Sequence, residues 1–304
     1  MNKYLLAAIT AFIIWGFFSL PLRPLQEYSS ISILLFRVVF SIVLLLVYVA
    51  TRKKFLQEIR RDWLQLPKVA QRKQIGFILL NGSLLSLNWL SFIYTMNHIS
   101  VRATSLAYLI CPILTAFLAI WILKEKLFSW QWISVCISIL ACFILAYHTP
   151  IDALSALFIG LTYAMYLIFQ KEIFIKRSTP LLLLQLFIAL PIILLYIGMQ
   201  EADFVVPTET KFYILLLIIA IFFTIIPLLF NIYALKGATS ATVGMLLNIN
   251  PIIAFFLSIF YWKESIDPTQ ILAFILILLA VLLFNQHYLT SKTRKLFPSK
   301  IKKL

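Results

Sequence analysis

Charged residues are scarce in this sequence. Only 12% of its 304 residues are charged, while 62% are apolar. A soluble domain is about a quarter charged and about half apolar, so this composition excludes an ordinary soluble protein. The charges also fall in clusters that leave apolar stretches of about 20 residues, the length that a helix needs to cross the hydrocarbon core of a bilayer. The sequence therefore predicts an integral membrane protein.

The sequence also has few cysteines and lacks a nucleotide-binding motif. The three cysteines, Cys111, Cys136 and Cys142, lie inside apolar stretches and lack the spacing of metal ligands. The GxxxxGK[ST] motif that cradles phosphates does not occur, so ATP-driven pumping by this chain alone has no support. We therefore predict neither a metal ion nor another cofactor.

Acidic residues are absent from the apolar stretches. All eleven aspartates and glutamates fall in predicted loops or at their borders. An intramembrane enzyme acting on a lipid-linked substrate would need buried acids, a histidine cluster, or a nucleophile beside its base. We therefore assign no catalytic residues and keep such an enzyme only as the alternative. The same absence leaves the question of proton coupling open.

Basic residues are abundant, and the net charge is +15. They are divided between a C-terminal tail and the loops that flank apolar stretches, and no aromatic-studded basic domain accompanies them. This distribution excludes a nucleic-acid partner and indicates a lipid bilayer instead.

Ten apolar segments are predicted to be transmembrane helices, because backbone polar groups cannot remain unpaired in lipid. We expect an all-α integral membrane protein with both termini on one side. The ten segments are 4–22, 31–50, 75–96, 102–123, 128–147, 153–170, 180–199, 212–235, 239–262 and 269–289.

The charges in the loops predict the orientation. The loops on the side of the termini carry most lysines and arginines, whereas the opposite side has only Arg23, Arg102, Lys211 and Lys263. Loops rich in Lys and Arg stay in the cytoplasm, so we predict a multi-pass protein of the cell (inner or plasma) membrane with both termini cytoplasmic.

The two halves of the chain repeat the same landmarks. Their spacing predicts a first five-helix repeat over 4–147, a second over 148–289 and a basic tail over 290–304. Pairs offset by 139 positions are Pro112 and Pro251, Lys124-Glu125 and Lys263-Glu264, Gln131 and Gln270, and Leu140-Ala141 and Leu279-Ala280. At a slightly different offset, Trp15-Gly16 matches Tyr163-Ala164 and Arg37 matches Gln185.

Five helices per repeat is an odd number, so the second repeat must enter the membrane inverted relative to the first. Inverted repeats are typical of secondary transporters, in which two similar halves of opposite orientation expose one site alternately to each side. This pattern is the first indication of function.

These residues resemble the drug/metabolite transporter superfamily in its EamA-type form. The pattern Pro–x11–Lys-Glu–x5–Gln is similar to the closing pattern of that family's five-helix unit and occurs once per half. Asn88-Trp89-Leu90 and Asn248-Ile249-Asn250-Pro251 resemble the RarD-like branch. The resemblance implies a transporter, usually an exporter of amino acids, related metabolites or drugs.

Arg37 is the clearest ionisable residue inside a predicted span, on the order of 9 Å from its outer end. A charge there costs several kcal/mol unless it is paired or hydrated, so a function is the first hypothesis. Arg37 would bind a carboxylate of the substrate. The alternative is that it reaches outward or ties down carbonyl groups at a helix end.

Other polar residues share helical faces and are candidates to line a substrate cavity. The alternative for each is ordinary hydrogen bonding between helices. The cavity candidates are Trp15, Asn81, Asn88, Tyr108, Tyr163, Tyr166, Thr224, Asn231 and Asn248. Pro112, Glu125, Pro251 and Glu264 are expected to act in gating or structure. The expected partners are a small-molecule substrate and lipid, and the protein is a monomer or a homodimer.

Overall fold

The regular structure of the chain is helical. The computed structural model describes residues 2–52, 57, 60–61, 63–99, 101–146, 150–173, 177–199, 204–263 and 267–286, and these ranges contain no strand. The helices are α1 Lys3–Gly16, α2 Ser19–Leu22, α3 Ser30–Ala50, α4 Lys68–His98, α5 Val101–Leu123, α6 Ser129–Ala146, α7 Pro150–Glu172, α8 Ser178–Met199, α9 Thr210–Ile218, α10 Ile226–Leu235, α11 Ser240–Leu246, α12 Ile249–Phe260 and α13 Pro268–Phe284.

Eight helical stretches within the described residues are long and apolar enough to cross a membrane. Two shorter apolar helices, Ser129–Leu145 and Pro268–Phe284, accompany them. The prediction of an all-α membrane protein is confirmed, and each predicted segment overlaps one of these stretches. At 1.5 Å per residue the two shorter helices are only about 26 Å long, so the count of ten spans stays a prediction.

Three predicted helices are interrupted near prolines. The first breaks at Phe17-Phe18, ahead of Pro21, and the ninth breaks at Leu247-Asn248, ahead of Pro251. In the eighth, a π-helical stretch, Ile219–Ile225, precedes Pro227. Proline cannot donate a backbone hydrogen bond and its ring crowds the preceding turn, so the regular pattern fails on its N-terminal side.

Contacts near the ends of the helices divide the described residues into two ends of the bundle. We name the end at which α1 begins the inner end, after its predicted orientation, and the other the outer end. Inner-end pairs are Gln74 with Glu172, Lys236 with Ser178, Lys171 with Glu125, and the tilted, contacting rings of Tyr4 and Tyr233. Outer-end pairs are Tyr28 with Glu209, Ser30 with Asn97, and Ser32 with the carbonyl oxygen of Val205. At the outer end, the bond to Glu209 raises the pKa of Tyr28 to about 12.

The repeat is visible in the backbone. Lys124 and Lys263, the two predicted counterparts, are the described non-glycine residues with positive φ, at 55° and 56°. Lys124 precedes Glu125 at the inner end. Lys263 follows Trp262, whose ring lies 3.9 Å from the guanidinium carbon of Arg23 near the outer end. The two equivalent turns therefore lie at opposite ends, as an inverted repeat requires.

The helix contacts follow the same symmetry. Helix α5 of the first repeat packs on α7 of the second, and its counterpart in the second repeat, α11 with α12, packs on α1 of the first. The last helices of the two repeats, α6 and α13, pack on each other, and α5 crosses α11. Each contact between the repeats thus has an equivalent contact in which the two repeats trade places. This is the symmetry of a pseudo-twofold axis between the halves.

The crossing of α5 and α11 lies on this axis and depends on a glycine. A Cβ atom added to Gly244 would lie 2.6 Å from both Cβ and Cγ2 of Thr115. Such a contact is closer than van der Waals radii permit, so any side chain at position 244 must push the two repeats apart.

We expect Gly244→Ala to lower the midpoint of thermal unfolding of the detergent-purified protein, at a cost of about 1–3 kcal/mol for overpacking. The matched control is Gly76→Ala in α4, where an added Cβ meets nothing within 4 Å. That change should be neutral or slightly stabilising, because alanine favours a helix over glycine by about 1 kcal/mol. Equal effects of the two changes would contradict the close crossing.

Candidate functional site

Arg37 lies seven residues after the start of α3, on the order of 10 Å from the outer end of that helix. Its guanidinium carbon is 4.6 Å from the ring centroid of Trp89 on α4. The side chain is half-buried, and its Nε atom is buried without a hydrogen-bond partner. The structure shows no carboxylate that pairs with it among the described residues. An aromatic face thus holds a positive charge that no carboxylate of the described residues neutralises.

Trp15 is positioned by the irregular eighth span. Because Pro227 has no N–H, it cannot donate to the carbonyl oxygen of Phe223 four residues earlier. The indole N–H of Trp15 donates to that oxygen at 2.9 Å. This bond ties α1 in the first repeat to the π-helical stretch in the second and fixes the orientation of the indole ring.

Tyr163, Tyr166 and Asn231 form a second group, which adjoins Trp15. The Tyr163 ring centroid lies 6.4 Å from that of Trp15 and 5.5 Å from that of Tyr166. The Nδ2 atom of Asn231 donates to the Tyr163 hydroxyl at 2.8 Å. The Oδ1 atom of Asn231 and the Tyr166 hydroxyl are buried without a partner. Burying such groups unpaired costs free energy, so they are candidates to bind a solute.

Tyr108 on α5 joins the two groups. It lies within electrostatic range of both Arg37 and Tyr163. We name the set Trp15, Arg37, Trp89, Tyr108, Tyr163, Tyr166 and Asn231 the central site. It offers one cation, several aromatic walls, a free carbonyl oxygen and a free hydroxyl. Helices of both repeats supply these residues, as expected for a site at a repeat interface.

Four other predicted cavity residues make their described contacts elsewhere. Asn88 donates to the Ile159 carbonyl oxygen and the Thr162 hydroxyl, which ties α4 to α7. The remaining three bond as follows: Asn81 to Gln170, Thr224 to the carbonyl oxygen of Ile219, and Asn248 to the sulfur of Met245 at 3.6 Å. None of these bonds involves a residue of the central site. For Asn88 and Thr224, hydrogen bonding within or between helices is enough to explain why a polar side chain is buried there.

Glu125 closes the inner end between the two repeats. Its Oε1 accepts hydrogen bonds from the Ser240 amide at 2.8 Å and from Lys171 Nζ at 3.0 Å. Its Oε2 accepts from the Ala241 amide at 3.1 Å, and Lys171 also donates to the Ala238 carbonyl oxygen at 2.8 Å. A carboxylate is favourable at the N-terminus of α11, where amides are unpaired. We name Glu125, Lys171 and the backbone of 238–241 the inner latch.

The positions of the other residues predicted for gating do not indicate a gating role. Pro112 is buried inside α5, and Pro251 is half-buried in the first turn of α12. Glu264 lies outside the described residues. Trp89 and Lys171 were not among the predicted site residues, although Trp89 is part of the motif beside Asn88. A lysine next to a predicted span end is too common a feature to single out.

A cavity away from the central site opens between α4, α7 and α8. It has a volume of about 590 Å³. Its walls are mostly apolar, and Leu87, Leu157 and Phe158 are exposed on the outside of the bundle. Acyl chains would cover such a surface in a bilayer, so we do not assign this cavity to the solute.

A transporter family and several of its relatives are similar to this chain over nearly its full length. The model of the EamA-like transporter family matches it twice, over residues 2–147 and 151–286. The uncharacterized transporter YojE of Bacillus subtilis is 28% identical over 284 residues, which are 93% of this chain and 94% of that protein. The protein RarD of Escherichia coli is 27% identical over 297 residues, or 95% and 97%. A solved crystal structure has the same fold, with a TM-score of 0.71 at 12% identity over 96% of this chain and 98% of that one.

We expect Tyr163→Phe to destabilise the protein by about 1–3 kcal/mol, because it leaves the buried Asn231 donor without an acceptor. Tyr166→Phe is the matched control, since its hydroxyl has no partner to lose. Thermal unfolding of the two purified variants measures the difference. A loss for Tyr166→Phe as large as that for Tyr163→Phe would contradict the assigned hydrogen bond.

Proposed function

This chain belongs to the EamA-like transporter family, and we propose that it is a secondary transporter that exports a small amphipathic metabolite carrying a carboxylate. The metabolite is amino acid-like or drug-like in its chemistry. The names of the relatives support membrane transport in general, and the substrate class rests on the residues of the central site.

One observation carries the substrate class: the positive charge of Arg37 lacks an anion among the described residues. Keeping a charge inside a membrane costs several kcal/mol when nothing neutralises it. A substrate carboxylate would neutralise it and accept two parallel hydrogen bonds from the guanidinium, the geometry that arginine favours. The aromatic rings of Trp15, Trp89 and Tyr163 would contact the apolar part of the same molecule.

Alternating access is the mechanism that fits the inverted repeats. Two similar halves of opposite orientation have two conformations of comparable energy, one open to each side. The inner latch supports this proposal, because Glu125 lies in the turn after α5 of the first repeat and binds the Ser240 and Ala241 amides and Lys171 of the second. Release of Glu125 would remove these bonds between the repeats and open the inner end.

Arg37→Ala should reduce export by about tenfold or more, since a hydrogen bond to a charged group contributes about 1.5–3 kcal/mol. The measurement begins with a metabolite comparison of cells with and without the protein, which identifies the exported compound. Flux of that compound is then measured in liposomes that contain the purified protein.

Arg72→Ala is the control for this change, because Arg72 is an exposed arginine near the inner end of α4. It should leave flux unchanged. If Arg37→Ala folds normally and transports at the original rate, the carboxylate-binding role of Arg37 is excluded.

Glu125→Ala should lower net flux by favouring the state that is open at the inner end. Removal of charge-assisted hydrogen bonds that exist in only one state shifts the equilibrium by about tenfold or more. Glu172→Ala, which removes an exposed glutamate beside Lys171, is the matched control. The same liposome assay applies, and identical fluxes for the two variants would show that Glu125 has no part in gating.

A further inference from the structure

Gln185 occupies the position in the second repeat that Arg37 occupies in the first. Each lies seven residues after the first residue of its helix, Ser30 in α3 and Ser178 in α8. Because Ser30 bonds at the outer end and Ser178 at the inner end, Arg37 and Gln185 lie at equal depths from opposite ends. Their surroundings differ, since Arg37 is half-buried and Gln185 is 0% exposed.

Three carboxamides meet at this position. The Oε1 atom of Gln170 on α7 accepts hydrogen bonds from Asn81 Nδ2 on α4 and from Gln185 Nε2, both at 2.6 Å. All three side chains are buried. Within the part of the chain that the structure describes, the Oδ1 atom of Asn81 and the Oε1 atom of Gln185 have no hydrogen-bond partner. The amide cluster thus contains two buried acceptors without donors, although a purely structural cluster would be expected to satisfy them.

The inner latch and the amide cluster share the last turn of α7. Gln170 immediately precedes Lys171, which pairs with Glu125 and with the backbone ahead of α11. The cluster therefore lies at the end of the bundle where the latch holds the two repeats together.

We propose that Asn81, Gln170 and Gln185 form the inner counterpart of the Arg37 pocket, a subsite that accepts N–H and O–H groups of the cargo when the inner end opens. The proposal rests on the proposed transport function. In inverted repeats, the arrangement of one half in one state becomes that of the other half in the second state. The partial exposure of Arg37 in this structure then corresponds to partial exposure of Gln185 in the opposite one. Opening supplies the two unpaired oxygens with donors, first from water and then from the cargo.

The first experiment measures access to position 185. Gln185→Cys is prepared alone and together with Glu125→Ala, and an impermeant maleimide is applied from the inner face of membrane vesicles. Labelling of the unsubstituted protein, which contains Cys111, Cys136 and Cys142, gives the background. Ile193→Cys is the matched control, because Ile193 is equally buried on α8 but two turns farther from the inner end.

We expect Glu125→Ala to raise the labelling rate of Gln185→Cys by about tenfold, the shift expected when a charge-assisted bond is lost. Ile193→Cys should stay at background. Asn81→Cys provides a second position if Gln185→Cys folds poorly, and it should respond in the same way. Background labelling at 81 and 185 in the latch variant would overturn the proposal.

A second experiment separates a subsite from a structural cluster. In the liposome flux assay, Gln185→Leu should raise KM for the cargo by about tenfold, because it removes the carboxamide. Gln185→Asn keeps a carboxamide, so its KM should stay close to that of the unsubstituted protein. Unchanged KM in Gln185→Leu, or a loss explained entirely by poor folding, would overturn the subsite. Failure of the transport function itself gives a different result, namely no flux in any variant while position 185 still becomes accessible.

Discussion

The hydrocarbon core offers no hydrogen-bond partners, and the rest of this structure depends on that constraint. It makes every apolar stretch helical and makes each departure from the helix require a specific partner. The carbonyl oxygen of Phe223, to which Pro227 cannot donate, accepts the indole N–H of Trp15. The amides at the start of α11 are bound by Glu125. Both bonds join the two repeats, so the irregular points of the helices are also the points where the halves meet.

The same constraint makes the polar groups that remain unpaired candidates for binding a ligand. In water an unpaired arginine or amide oxygen is ordinary, but inside a bilayer it is costly unless a ligand or water reaches it. Arg37, Asn231 and Tyr166 at the central site meet this description, as do Asn81 and Gln185 in the amide cluster. Arg37 and Gln185 occupy equivalent positions of the two repeats at equal depths from opposite ends, so one cargo would meet first one and then the other.

Much of the fold follows from the sequence, because hydropathy and proline spacing act locally. The helical segments, the offset of 139 between Lys124 and Lys263, and the exceptional position of Arg37 were all predictable. The breaks at Phe17-Phe18 and Leu247-Asn248 were not, since prolines inside membrane helices often leave the helix intact. The contact of Glu125 with Ser240 joins residues far apart in the chain, and no periodicity reports such a contact. Asn88 lies on a predicted cavity face, yet its amide bonds to α7.

The central claim is that two antiparallel repeats expose one site alternately to the two sides of the membrane. Labelling of single cysteines at the exposed positions Lys126 and Lys263 with an impermeant reagent tests it most directly. We expect Lys126→Cys to react from one side of intact cells or vesicles and Lys263→Cys from the other. Reaction of both positions from the same side would contradict the inverted arrangement and the alternating mechanism built on it.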